Sequence, residues 1–451
     1  MRIRRAVKNR IFVSIAAYRD EELARTLRDL LTKADRPEAL TIAVLDQSEI
    51  PIPRPRTTRG AKVVIEHCPP AESQGACWAR AQLQQRFDGE DYFLQLDAHH
   101  LFKKGWDSLL LKQYAACRSP RAVLTAYLPP YEPGAKPHIH APASTPMHVS
   151  HFDQDGIVIY RSHTYSKETP GPPLPARFFS GHFAFARREF VERVPYDPEL
   201  YFYGEESTMA ARAFTSGFDL FHPGRTIAWH YYVRNGKPHH WDGSPKKKGK
   251  AEAPPWQQLQ RRGVEKYRRI FCLLPHIWPT DGLGSVRSLA DYEAWAGVDH
   301  YWQLTHPASA AMHPPPTSAS PLWTVEEGLL GQTDLHVSLP PLASIDARPC
   351  SQVHLAILDA TTRDAAAGRV TPADYATVQQ NGWKVRVRFR SAPLRLIVWP
   401  LIDGVGWGNR HEVHLSVPEL ATIRPSRQVP PKTSTPPESA RHSRRPRTKA
   451  V

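Results

Sequence analysis

The chain of 451 residues contains no stretch approaching eighteen uninterrupted apolar residues, which argues against a membrane-spanning helix. Cysteine is sparse: Cys68, Cys77, Cys117, Cys272 and Cys350 are scattered, odd in number, and form no CxxC pair. A disulfide framework or a zinc ribbon has no footing in that pattern, and a reducing, cytoplasmic compartment is the simpler reading. Acids are also short, with 44 Asp and Glu against 59 Lys and Arg and a net charge of +15. Part of that excess sits in one place. From Arg424 to Val451 eight basic residues face the single acid Glu438, in a Pro-, Ser- and Thr-rich segment that reads as a disordered tail. No internal repeat is visible. The N-terminus is basic and then apolar, like a leader, but the apolar run from Ile11 to Ala17 is short and meets Arg19 and Asp20 directly. It reads as a first core strand.

What is present is an alternation. Residues 11–17, 41–46, 62–66, 91–97 and 122–127 read as strands. Helices are expected over 20–33, with Asp20 as N-cap, from Gly75 to Phe87, and from Trp106 to about Cys117. Strands alternating with helices predict an α/β fold, a Rossmann-like, mostly parallel sheet flanked by helices. Ligands of such sheets bind beyond the carboxyl ends of the strands, which puts Tyr18, Arg19, Asp46, Gln47, Asp97 and His99 on one rim. Residues 129–175 are rich in Pro and His, with one strand expected at 156–161. A strand and short helix follow at 177–194, a helix with a Gly217 stop at 203–218, strand-like segments through Trp229, a polar loop with Lys246, Lys247, Lys248 and Lys250, and a helix from Pro255 to about Phe271. The division expected is a catalytic domain at 1–310, a Pro-rich linker at 311–324, a small all-β domain at 325–423 and the basic tail at 424–451.

The strand DYFLQLD leaves the core into Ala98, His99 and His100. A carboxylate at a strand's carboxyl end faces the crevice, and two residues on His99 points the same way if the chain stays extended. A carboxylate oxygen and an imidazole nitrogen suit Mn²⁺, with positions left open for a diphosphate. Taken alone, the pattern also describes a strand-end turn, and His100 can replace His99 if that turn is tight. His230, closing the run Thr226 to Trp229, offers a third ligand or a packed core histidine. Glu205 and Glu206 open a helix, where the macrodipole favours acids; one of them can also point into the crevice and orient a hydroxyl. Arg80 or Arg234 can add positive charge at such a site.

In chain order, IFVSIAAYRD, the helix carrying Arg80, GEDYFLQLDAHHLFKKGWD, FFSGHFAFARREF, the FYGEE helix, WHYYVR and DGLGSVRSLADYEAWAGVD resemble a family of GlcNAc-transferases. That family is typified by the cytoplasmic enzyme that glycosylates a hydroxyproline of a ubiquitin-ligase subunit. The likeness covers roughly residues 10–300. It implies a GT-A-like nucleotide-diphospho-sugar transferase: a hexosyltransferase that moves GlcNAc from UDP-GlcNAc to a hydroxyl of a protein or glycan, with retention. The implied cofactor is Mn²⁺, or another divalent cation such as Mg²⁺. The metal motif is similar to that of polypeptide N-acetylgalactosaminyltransferases, so Asp97 and His99 match the first two ligands and His230 the third. Glu205 and Glu206 match the acidic motif at sugar or acceptor, and Arg80 an arginine near the nucleotide. Tyr18, Arg19 and Asp20 close the first strand, where uridine lies, and Gln47 closes the second. Ala98 stands where the family has Ser, at a position that does not ligate.

Two other readings compete. The tail can bind nucleic acid or an acidic partner, which makes nucleic acid a partner only through that segment. The cluster His138, His140, His148, His151 and His163 can bind zinc for a hydrolase, although a polar lid or acceptor loop suits its Pro neighbours better.

Overall fold

The computed structural model describes residues 8–141, 146–153, 155–162, 171–233, 237–240, 256–271, 282–300, 303–306, 309, 331–358, 360, 364–389 and 393–415. Arg234, His163, the lysines at 246–248 and 250, the linker and the basic tail lie outside them. In chain order the first elements are β1 (Ile11–Tyr18), α1 (Leu23–Lys33), β2 (Leu40–Gln47), β3 (Lys62–His67), α2 (Ala76–Gln84), β4 (Tyr92–Asp97), β5 (His100–Phe102), α3 (Trp106–Ala116) and β6 (Ala122–Thr125). The Pro- and His-rich stretch holds more strand than expected: β7 (Tyr131–Glu132), β8 (His138–Ile139), β9 (Met147–Phe152), β10 (Val158–Ser162) and β11 (Leu174–Pro175). Then come β12 (Phe183–Arg187), α4 (Arg188–Arg193), α5 (Glu205–Thr215), β13 (Asp219–His222), β14 (Ala228–His230), α6 (Trp256–Ile270) and α7 (Leu289–Ala296). A short hairpin, β15 (Val298–Asp299) with β16 (Leu304–Thr305), follows.

Eight strands form one sheet in the order β11-β13-β6-β12-β4-β1-β2-β3. β1 is parallel to β2 and β4, β2 to β3, and β13 to β6. β12 inserts antiparallel between β4 and β6, and β11 is antiparallel at the edge. The fold is therefore the expected α/β class, with a mostly parallel sheet. Period-two alternation builds its two faces. Ile11, Val13, Ile15 and Ala17 join Leu27, Leu30 and Trp106 under α1 and α3, while Phe12 joins Ala79 and Leu83 of α2 on the other side. Because both faces are covered, β1 and β2 are buried almost throughout, as parallel strands are.

In the C-terminal region β17 (Gly331–Val337) pairs with β20 (Trp383–Phe389). β18 (Cys350–Leu358), β19 (Asp364–Val370), β21 (Leu394–Ile402), β22 (Gly406–Trp407) and β23 (His411–Leu415) form an antiparallel sheet. Val353, Leu355, Leu396, Val398 and Trp383 share a core of their own. Between β19 and β20 stands a helix the strand pattern did not announce, Pro372–Asn381, which adds Tyr375 and Val378 to that core. Its start was written locally: the Thr371 hydroxyl accepts the Asp374 N–H, and Pro372 occupies the first helical position. No helix among the described residues is long and apolar enough to cross a membrane.

Candidate functional site

β4 ends at Asp97, the chain turns through Ala98 and His99, and β5 pairs antiparallel with β14 so that His100 stands opposite His230. Two backbone bonds fix this junction. Tyr231 N–H donates to the His99 carbonyl (3.2 Å) and His230 N–H to that of Pro129 (3.0 Å). Asp97, His99 and His230 each then offer one ligand atom, all within 4.8 Å of one another. His230 Nε2 is 3.5 Å, and His99 Nε2 3.9 Å, from Asp97 Oδ2. His100 does not compete. Its buried ring turns aside, with Nδ1 3.0 Å from the Asp97 carbonyl oxygen.

Asp20 was expected to cap α1 and lie by uridine. The helix begins at Leu23 instead, with Glu22 as N-cap and no capping side chain. Asp20 Oδ1 accepts the Glu22 N–H (3.0 Å), and its Oδ2 accepts from His99 Nδ1 (2.7 Å). Asp20 thus holds the Nδ1 side of the ring and leaves Nε2 facing Asp97, the arrangement in which an outer carboxylate orients a metal-binding histidine. Burial pushes the His230 imidazole down to about 4, so it is neutral. Both its ring nitrogens are buried without a hydrogen-bond partner. Burial acts to raise the Asp97 carboxyl, but the contact with His230 and the charges of Arg80 and His99 outweigh it and hold the group well below the carboxylate range. One carboxylate oxygen and two imidazole nitrogens, one of them orphaned in the interior, fit a divalent cation of the Mn²⁺ type.

Arg80 of α2 is buried and bridges two acids. One terminal nitrogen donates to Asp97 Oδ1 (2.7 Å), the other to Glu205 Oε1. Glu205 also accepts from Tyr196 OH (2.5 Å). Two glycines leave space here, Gly181 beside Glu205 and Gly204 beside Tyr267. A Cβ on Gly181 would lie 3.0 Å from Glu205 Oε1, and Gly204, at φ +91°, would drive a Cβ to 2.8 Å from the Tyr267 ring. Glu206 is held differently: Tyr127 OH donates to one oxygen (2.6 Å) and Gly181 N–H to the other (2.9 Å). Burial pushes its carboxyl up to about 7, against the pull of those donors. A cavity of about 320 Å³ is walled by Arg80, Asp97, Glu205, Glu206, His230 and the rings of Tyr127, Phe202, Tyr203 and Tyr232, among others.

Tyr18, Arg19, Asp20 and Gln47 are not part of that wall. Gln47 is buried, donates to the Ala17 carbonyl (3.1 Å) and accepts from Ser73 (2.6 Å). Arg19, in the left-handed region at φ +46°, pairs with Glu49 and covers the Tyr18 ring at 5.5 Å. Tyr201 is core, its hydroxyl 2.6 Å from His240 Nδ1, while Phe202 and Tyr203 reach the cavity. Gln95, Tyr196 and His182 also stand at this site without a motif to mark them. Gln95 carried a signal, as the one amide in an apolar strand; its Nε2 binds the Gly181 carbonyl (2.5 Å) and Tyr196 OH (2.6 Å). Tyr196, in a loop, carried none. In the insert, His140 Nε2 comes within 3.4 Å of Glu132, an acid not foreseen, but both side chains are exposed. Among the described residues the Asp97 group is the one trio with metal-ligand spacing.

A family model described as Glycosyltransferase (GlcNAc) matches residues 10–53 and 50–301. No curated protein matches the chain. Among solved structures it is similar to GalNAc-T7 with UDP, GalNAc and Mn²⁺, at 14% identity and a TM-score of 0.46, over 66% of this chain and 59% of that one. The mannosyltransferase PcManGT from Pyrobaculum calidifontis, in complex with GDP-Man and Mn²⁺, is 13% identical with a TM-score of 0.33, over 57% and 70% of the two chains. S. aureus TarS is 14% identical with a TM-score of 0.30, over 49% and 60%. The chain thus spans less than two thirds of the length of the first of these.

Proposed function

Because the chain belongs to the GlcNAc glycosyltransferase family, we propose that it transfers GlcNAc from UDP-GlcNAc to a hydroxyl of a protein or glycan acceptor, with retention of configuration. The cofactor proposed is Mn²⁺, with Mg²⁺ as the alternative, and the compartment the cytoplasm. The catalytic domain proposed is residues 1–310, followed by the linker, the β domain and the tail. The observation that carries the reading is the convergence of Asp97 and His99 with His230, distant from them in sequence, on one point beside the cavity.

The electrostatics support it. Around the site Asp97 and Glu205 share one buried guanidinium, Arg80, and Asp20 adds a carboxyl against His99. Such a pocket repels a diphosphate and attracts a cation. The donor therefore binds after, or together with, the ion. When bound, a divalent cation supplies the charge that neutralises the departing diphosphate. Arg80 keeps Asp97 ionised and aimed, and fixes Glu205 as the far end of the same bridge. Glu206 faces the cavity with its proton balanced near neutral pH, which suits it to orient the acceptor hydroxyl; a base role is open to it, although the leaving phosphate can itself take the proton. The proposed nucleotide neighbours are Tyr18, Arg19, Asp20, Gln47, Arg80 and Arg234, with Gln47 shaping that rim by holding the strand ends through Ala17 and Ser73.

The test is turnover of UDP-GlcNAc by the purified chain with Mn²⁺, read as released UDP, in the parent and in His99→Ala. Mn²⁺-dependent turnover that His99→Ala abolishes is expected. Undiminished turnover in that variant sinks the ligand assignment.

A further inference from the structure

We propose that His182 is the positioning residue for His230, and that cation affinity at the site depends on it. The inference rests on the reading of Asp97, His99 and His230 as a cation site. His182 stands just ahead of β12, on a segment separate from those that carry the three ligands.

Its ring lies face to face with that of His230, the centroids 4.1 Å apart and the planes 18° from parallel. The other rings around His230 meet it obliquely: His99 at 51°, His100 at 56° and Tyr232 at 70°. Of these four rings only that of His182 is stacked on His230, so it is the one that sets its plane. The second hold is through the backbone. His182 Nε2 accepts the Leu128 N–H (3.1 Å). Leu128 opens the segment whose next carbonyl, Pro129, receives the His230 N–H (3.0 Å), and Pro130 forms a bridge with His230 itself. Tyr232 OH closes the loop by donating to the Leu128 carbonyl (2.7 Å). One buried imidazole thus fixes the third ligand twice, at its ring and at the strip of chain that pairs with it.

The energetic reason is rotamer freedom. His230 Nε2 has no protein donor to orient it. A ligand whose ring must be immobilised on binding loses affinity by that ordering, and groups that pre-orient ligands account for large factors in metal affinity. Stacking alone would be met by Phe. Only a ring with an acceptor also satisfies the buried Leu128 N–H, which would otherwise be left unmatched at a cost.

The experiment titrates the full chain with Mn²⁺ in the absence of any sugar nucleotide, following the free ion by electron paramagnetic resonance, in the parent, His182→Ala, His182→Phe, His182→Gln and His230→Ala. His182→Ala is expected to bind Mn²⁺ about 10- to 100-fold more weakly. His182→Phe keeps the stacked face and His182→Gln keeps the acceptor for Leu128, so each recovers part of the loss. In turnover, the KM for Mn²⁺ rises by a larger factor than kcat falls. Parent-like affinity in a folded His182→Ala overturns the proposal. If that variant does not fold, parent-like affinity in both His182→Phe and His182→Gln overturns it. Mn²⁺ binding that His230→Ala abolishes and His182→Ala leaves intact sinks this inference alone. No binding by the parent sinks the cation site as well.

Discussion

Two groups of polar side chains stand at the same rim of the sheet, and they are treated in opposite ways. At the end of β2 beside β1, Gln47 is bonded at both ends of its amide, the nitrogen to the Ala17 carbonyl and the oxygen to the Ser73 hydroxyl. At the ends of β4 and β14, His230 is just as buried, yet both ring nitrogens are left unmatched. Unmatched buried polar atoms destabilise a fold unless something outside the chain completes them. The first group holds the strand ends; the second is built for a ligand. Asp20 joins the two, leaving β1 and reaching across to His99.

The largest effect that sharpens this contrast is at Glu206. Its pKa, raised to about 7 by burial, means the carboxyl is mostly protonated below pH 7 and ionised above it. If it works as an acceptor of the substrate hydroxyl's hydrogen bond, kcat/KM at saturating Mn²⁺ falls as pH drops through about 7 and levels off above. Glu206→Gln should lower turnover about 100-fold and erase that limb. A variant that keeps the limb would move Glu206 to the bonded group, beside Glu205.

The next effect is at the joint between the groups. Asp20→Asn keeps the size of the side chain and removes the charge that holds the Nδ1 side of the His99 ring. Mn²⁺ affinity should fall about tenfold, the lower end of what outer partners of metal ligands contribute. An unchanged affinity would mean that Asp20 serves only the turn before α1.

Much of the sheet was legible, because β1, β2, β4 and β6 alternate or run apolar and α1, between β1 and β2, carries leucines at helical spacing. The direction of β12 was not. FAFAR reads as a strand either way, and its antiparallel insertion is decided by where the preceding insert returns to the sheet. The Ala-rich β19 lacks a strand pattern altogether, since its pairing comes from β18. At the site, residue types at strand ends pointed to Asp97, His99 and His230, but no spacing could announce His182 or Tyr196. Their roles come from contacts between segments distant in sequence, a tertiary fact that local pattern does not carry. Asp20 was placed at the right turn for the wrong partner, because a capping signal and a histidine clamp use the same side chain.

The smallest effect on function is expected at Gln47, and it is the sharpest check on the bonded group. Gln47 is 3% exposed, with its amide nitrogen on Ala17 and its amide oxygen receiving Ser73. Gln47→Ala strands a backbone carbonyl and shortens the tie between β2 and the turn before α2, which should cost about 1–3 kcal/mol of stability. The loss is read as a lower midpoint in urea with an unchanged slope, since the surface exposed on unfolding stays the same. The KM for UDP-GlcNAc should move by no more than about twofold, a difference of roughly 0.4 kcal/mol. A large rise in KM with little change in the urea midpoint would reverse the assignment. The amide would then turn outward when the nucleotide arrives, and the first two strand ends would belong with His230 among the groups that wait for a ligand.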